Sequence, residues 1–225
     1  MTAGRGIIHS EMPEEQVNKG LQLWINLPSS AKMYKKILHK DSSFLIHRFF
    51  KCLYNTFSLI FDRIEPKNIE ISSSEIPSAD DYGVEVKVIA GESMGVKSPF
   101  YTKTPIMFLD FTLDPKAQTH QAVPESWTAF AYIVEGDEGV FSSSDSSTVQ
   151  AHNVVVFGTG DEVSVWNTSN SRPLRFLLIA GEPIGEPVVQ HGPFVMNSQD
   201  EIEMTIGDYR NGMNGFEMAK HWRSE

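Results

Sequence analysis

Val84-Glu85-Val86-Lys87-Val88 alternates apolar and polar residues without a break. Side chains two apart in a strand share a face, so this stretch reads as a strand with one side against a core and one in water. Residues 21–27, 106–113, 127–134, 153–157, 163–166 and 174–180 are further strand candidates. Gly136-Asp137 and Gly158-Thr159-Gly160-Asp161 punctuate the gaps, as turn chemistry requires. Many short strands at regular spacing predict a β-sandwich or barrel, with no βαβ units. Only the end changes character. Residues 200–209 place Ile202, Ile206 and Tyr209 at i, i+4 and i+7, and 215–222 carry Phe216, Ala219 and Lys220, so both stretches are expected to be helical.

The bulk numbers bound the function. With 225 residues the chain is one large domain or two small ones, and 40% apolar content is enough for a packed core. A formal net charge of -10 argues against a broad phosphate-binding surface, so direct nucleic-acid binding is not expected. Cys52 is the only cysteine, which excludes an intramolecular disulfide. The first residues lack the charged-then-apolar pattern of a secretory signal, and the expectation is a soluble intracellular protein. Asn167-Thr168-Ser169 fits a glycosylation acceptor pattern and is read here as a turn. No internal repeat is visible at a period of 20–50 residues.

The stretch 34–63, YKKILHKDSSFLIHRFFKCLYNTFSLIFDR, stands apart. It holds five of the fourteen Phe, and Lys35, Lys36, Lys40, Arg48, Lys51 and Arg63 oppose only Asp41 and Asp62. His47, Arg48 and Lys51 exclude a membrane span, because each charge at mid-bilayer costs about 2.5–3.5 kcal/mol. A basic amphipathic helix on a membrane or partner, a buried helix, and a segment foreign to the fold remain three readings.

His9 and Glu11 stand two apart near the start. On a strand they aim an imidazole and a carboxylate into one space, as a metal site requires. Other chemistry finds less support. Cys52 has no argued activating base, and no G-x-S-x-G elbow occurs. Gly158-Thr159-Gly160 is followed by Asp161 and Glu162, which would repel a phosphate. Trp127, Phe130 and Tyr132 are read as core, and Asp110, inside an apolar strand, as either a buried acid or an edge residue. His120 has no second His or Glu at ligand spacing after it. His152 is read as a turn residue, His191 as structural and His221 as a surface residue, while His39 and His47 share the uncertain status of 34–63.

Four runs carry a family resemblance: MTAGRGIIHSEMP (1–13), GLQLWINLPSSAKM (20–33), AGEPIGEPVVQHGPFVMN (180–197) and NGFEMAKHW (214–222). In this order they resemble the pirins, bicupin proteins of the cupin superfamily. The resemblance implies an all-β fold of cupin (double-stranded β-helix, jelly-roll) barrels. It divides the chain into 1–33, the remnant of an N-terminal cupin; 34–63, an insertion; 64–195, one complete C-terminal cupin barrel; and 196–225, a tail of short helices. The family's metal, usually iron (Fe2+/Fe3+), is held in the N-terminal cupin by an early His-x-His and a later His-x-Glu. His9 and Glu11 match the later pair. The early pair has no counterpart, so the chain is expected to be truncated and to bind iron weakly or not at all. Joining Met33 to Ile64 resembles the uninterrupted family run, so 34–63 is read as a retained intron or a misplaced exon junction. In the family the tail packs back on the N-terminal barrel, and here it is expected to meet only a remnant.

What the resemblance implies for function is a transcriptional co-regulator or signalling protein. It would act through protein partners in nucleus and cytoplasm, as a monomer, without contacting nucleic acid or membrane. The alternatives are a metal-dependent quercetin 2,3-dioxygenase with Glu11 as ligand and base, impaired by the missing ligands, and a truncated product without function.

Overall fold

The computed structural model describes residues 4–8, 21, 23–32, 72–100, 102–141 and 147–223. These belong to two compact units, one formed by Glu70–Pro183 and the other by Met1–Ile69 together with Ile184–Glu225.

The described residues of the first unit form strands and connecting turns, with no helix among them. Its strands are β1 (Ser78–Asp81), β2 (Val84–Ala90), β3 (Glu92–Ser93), β4 (Val96–Lys97), β5 (Ile106–Leu113), β6 (Gln118–Ala122), β7 (Thr128–Glu135), β8 (Gly139–Phe141), β9 (Val154–Val156), β10 (Glu162–Asn167) and β11 (Leu174–Gly181). A six-stranded antiparallel sheet runs in the order β1-β2-β5-β11-β7-β9, and a three-stranded sheet in the order β6-β10-β8. The alternation read at 84–88 is the alternation of burial. Val84, Val86 and Val88 face inward with Leu109, Phe111 and Leu113 of β5, while Glu85 and Lys87 face out. From the smaller sheet Phe141, Val163 and Val165 close the core. At its centre Phe111 stacks on Phe176 with ring centroids 5.2 Å apart, and Phe141 meets Phe176 edge-on at 5.2 Å.

Local sequence explains the turns. β1 and β2 are joined by Tyr82 and Gly83 alone, both with positive φ, the backbone that suits a two-residue hairpin. Asn167 closes the end of β10. Its buried side-chain amide faces the carbonyls of Leu113, Asp114 and Arg172 at 3.1, 3.1 and 2.8 Å, and its Oδ1 accepts the Ser169 amide at 3.1 Å. Asn167 is therefore a structural tie and no surface turn residue, and its burial removes it as a sugar acceptor in the folded protein.

The aromatic reading of β7 needs correction. Ala129, Ala131 and Ile133 face the core. Phe130 and Tyr132 lie on the opposite sheet face, in register with Ile179 and Leu177 of β11. Only Trp127, just ahead of the strand, packs against the core cluster. Two of the inward β7 positions are alanines, in a core that also holds the Phe111, Phe141 and Phe176 rings. β11 is buried along both faces from Phe176 to Ala180, which explains its unbroken apolar run.

In the second unit β12 (Val189–His191) pairs with β13 (Phe194–Met196), followed by helix α1 (Gln199–Asn211). The Ser198 hydroxyl accepts the Glu201 amide at 3.3 Å, and the Glu201 carboxylate reaches back to the Asn197 amide at 2.9 Å, a reciprocal start signal. Gly212, in the left-handed region, ends the helix. Two expectations fail here. Residues 215–222 form successive turns, with amides of Phe216, Ala219 and His221 bonded three residues back, and make no second helix. The strand expected at 21–27 is absent: residues 23–28 are irregular and lead through Pro28 into a single 3-10 turn, Ser29–Ala31. An alternating pattern becomes a strand only when a neighbour completes its ladder, and among the described residues none pairs with it.

This unit joins the chain's beginning to its end. The Ser29 amide and hydroxyl donate to Glu186 at 2.7 and 3.1 Å, and Lys32 Nζ donates to Asn197 at 3.2 Å. The Gly6 amide donates to the Asn214 carbonyl at 3.0 Å. A Cβ added at Gly6 would lie 2.5 Å from the Phe216 ring, so only glycine permits this approach. Phe194, Tyr209 and Phe216 form an aromatic cluster with centroid separations of 5.4 to 6.2 Å. The segment 34–63 lies outside the described residues, as do His9 and Glu11.

Removing the Asn167 side chain takes a donor from the Leu113 and Arg172 carbonyls and one of two donors from the Asp114 carbonyl, which keeps the Ala117 amide. Asn167→Ala is expected to lower unfolding free energy by about 2–3 kcal/mol in urea titrations. A change below about 0.5 kcal/mol, the range of ordinary surface substitutions, would show that the tie is dispensable.

Candidate functional site

His9 and Glu11, on which the expected metal site rests, lie outside the described residues, so their fit to a metal rests on donor chemistry alone: one imidazole nitrogen and one carboxylate. What is described is the segment that leads into them. Gly4–Ile8 is held by the Asn214 carbonyl and the Phe216 ring, and Ile7 and Ile8 line an apolar cavity of about 150 Å³ with Met218, Ala219 and Trp222. Among the described residues no three His, Cys, Asp or Glu side chains gather as a metal would need.

The polar cluster that the structure does assemble is on the outer face of the smaller sheet. Inward Val163 and Val165 alternate with outward Glu162, Ser164 and Trp166 on β10. The β6–β10 register sets His120 opposite Ser164 and Gln118 opposite Trp166. His120 Nδ1 lies 2.9 Å from Ser164 Oγ and 3.1 Å from Glu162 Oε1. The Ser164 hydroxyl donates to the same Glu162 oxygen at 2.8 Å, and the Trp166 indole N–H donates to Gln118 at 2.8 Å. The Trp166 and His120 rings meet edge-on at 5.9 Å. Hydrogen bonds from Ser164, and after it His120, hold the Glu162 carboxyl below the usual carboxylate range. Sequence reasoning missed this pairing because Glu162 stands 42 residues from His120. The alternation Glu162-Val163-Ser164-Val165-Trp166 was the available signal, since it puts the three polar-faced residues on one side.

Next to this cluster the β barrel opens. A cavity of about 140 Å³ lies between Trp127, Ala129, Phe157, the loop Gly158-Thr159-Gly160 and the start of β10 at Glu162. Asp110, on β5, belongs to neither cluster nor cavity. Its carboxylate, 11% exposed, takes a bidentate pair of bonds from Arg175 at 3.0 and 2.7 Å, and the bond to Asp110, ahead of burial and other charges, raises the Arg175 pKa. Asp110 is thus a cross-strand structural ion pair on the non-core face of the sheet. His152, with positive φ, sits in a turn as expected, its Nδ1 3.3 Å from the Tyr132 hydroxyl, and His191 and His221 are exposed.

The pirin C-terminal cupin domain family matches residues 108–215, which include β6, β7, β10 and β11. A pirin-like protein of Arabidopsis thaliana is 87% identical over 225 residues, the whole of this chain and 72% of that protein. Pirin of Homo sapiens is 44% identical over 226 residues, again the whole of this chain and 67% of that protein. The chain belongs to the pirin family. It spans 72%, 66% and 62% of the length of three Arabidopsis thaliana relatives. The quercetin 2,3-dioxygenase structure from Acinetobacter baumannii superposes with a TM-score of 0.60 at 29% identity, covering 68% of this chain and 52% of that one. The β unit is a cupin barrel followed by one short C-terminal helix.

The cluster has a measurable order of effects. A carboxyl with a depressed pKa keeps its bonded, ionised form above the ordinary value of 4.5 and loses it as pH falls through its own lower midpoint. In carbon-detected NMR titrations, Ser164→Ala is expected to move the Glu162 midpoint up toward 4.5 by more than His120→Gln does. The reverse order would assign the main hold to the imidazole.

Proposed function

We propose that this chain is a pirin-like regulatory protein that acts through protein partners, transcription or signalling factors, in nucleus and cytoplasm. Membership of the pirin family supports this reading, and the net charge of -10 favours a protein partner over direct contact with DNA. The observation that carries the partner contact is the edge strand β9. It ends the six-stranded sheet beside β7, and its Val154 and Val156 are 56% and 72% exposed. An edge strand with exposed apolar side chains offers both unpaired backbone groups and a surface for a second protein.

A second reading has a specific support, the likeness to the A. baumannii quercetin 2,3-dioxygenase. On it, the protein binds iron and oxidises a flavonol. His9 and Glu11 would supply two of the donors, and Glu11 would also hold the substrate's hydroxyl proton. The metal would supply open coordination positions for substrate and dioxygen.

Tethering the chain to a DNA-binding domain upstream of a reporter separates the readings. Reporter output is expected to change with the tethered chain and to return to baseline with Val156→Lys, since a charge on an edge strand blocks pairing. An unchanged reporter overturns the regulatory reading. Oxygen uptake with quercetin and ferrous iron that disappears in His9→Ala would establish the second one.

A further inference from the structure

The glycines of the loop Gly158-Thr159-Gly160-Asp161-Glu162 are followed directly by two acids, a combination unsuited to phosphate. The cupin barrel shows where the loop sits. It crosses the open end of the barrel between Phe157, the residue after β9, and Glu162, the first of β10. The Phe157 amide donates to the Ala129 carbonyl at 3.0 Å and the Val123 amide to the Asp161 carbonyl at 2.8 Å, so the walls are fixed by backbone bonds from β7 and from the residue after β6.

We propose that this opening is a binding site for a small organic cation carrying a single ring, independent of any metal held at His9 and Glu11. Three observations converge. The first is size: the cavity is about 140 Å³, and a cavity of about 150 Å³ accommodates benzene, so one six-membered ring fits. The second is the wall chemistry. Trp127 and Phe157 offer aromatic surface to a ring or an ammonium group, and Val123, Ala129 and Val163 supply the apolar remainder. The third is charge. Glu162 lines the cavity, exposed Asp161 precedes it in the chain, and no Lys or Arg lines the cavity. The Glu162 carboxylate already holds Ser164 and His120, so it is fixed in place before a ligand arrives and little ordering is required on binding. The acidic chain as a whole attracts cations toward it.

The test uses the full chain and three probes of similar size: benzylammonium, benzyl alcohol and benzoate. In amide and indole NMR spectra, benzylammonium is expected to shift the Gly158, Gly160 and Trp127 signals saturably, benzyl alcohol weakly and benzoate not at all. Glu162→Gln, at an exposed position, is expected to weaken benzylammonium about tenfold, to the level of the alcohol. Thr159→Lys, on the same exposed loop, adds a cation without touching the core and is expected to weaken it as well. Equal binding of the three probes, shifts centred elsewhere, no saturable shift, or full affinity in Glu162→Gln would each overturn the proposal.

Discussion

Two sheets that face each other need something other than apolar contact to fix where one ends and the next begins. In this cupin barrel that constraint is Asn167. The residue is the last of β10, in the smaller sheet, and its amide reaches the carbonyls of Leu113 at the end of β5 and Asp114 just after it. The same group holds Arg172, in the loop that returns the chain to β11 of the larger sheet. Its backbone adds bonds in both directions, receiving the Lys116 amide and donating to the Ala117 carbonyl. Buried carbonyls without donors are costly, so the point where the chain passes between sheets has one satisfied geometry. The register that places His120 against Ser164 follows a few residues along the same pair of strands.

That register decides what chemistry the barrel can present. A shift of one residue would turn Glu162, Ser164 and Trp166 into the core and expose Val163 and Val165. With the observed register, the polar residues gather outside, next to an aromatic-walled opening. The acidic loop ahead of β10 then borders that opening and lies away from the packed centre of Phe111, Phe141 and Phe176. Packing and site formation are therefore two results of one alternation.

The second unit follows a different logic. Its described residues form one α-helix, a short hairpin and a 3-10 turn, held by polar bonds between sequence-distant ends: Ser29 with Glu186, Lys32 with Asn197 and Gly6 with Asn214. Burial lowers the pKa of Lys32, while Glu186 and Glu201 oppose the shift, which marks the network as partly withdrawn from water. The residues running into His9 are thus organised by the tail, through Phe216, and not by a strand of their own.

Alternation by itself determined the β character of residues 84–88, the apolar run 106–113 was legible as a strand candidate, and the helix at 200–209 was legible from its apolar spacing. The family was legible too, because motif order survives in sequence without any knowledge of contacts. Alternation at 21–27 and helical spacing at 215–222 misled, since periodicity reports which face is apolar and says nothing of whether a partner strand or packing surface is there. The face assignment of Phe130 and Tyr132, the burial of Asn167, the Asp110–Arg175 pair and the meeting of His120 with Glu162 were decided only by tertiary structure. Each depends on strands far apart in sequence coming into register, and that register is set by the summed burial of both sheets, which no local stretch contains.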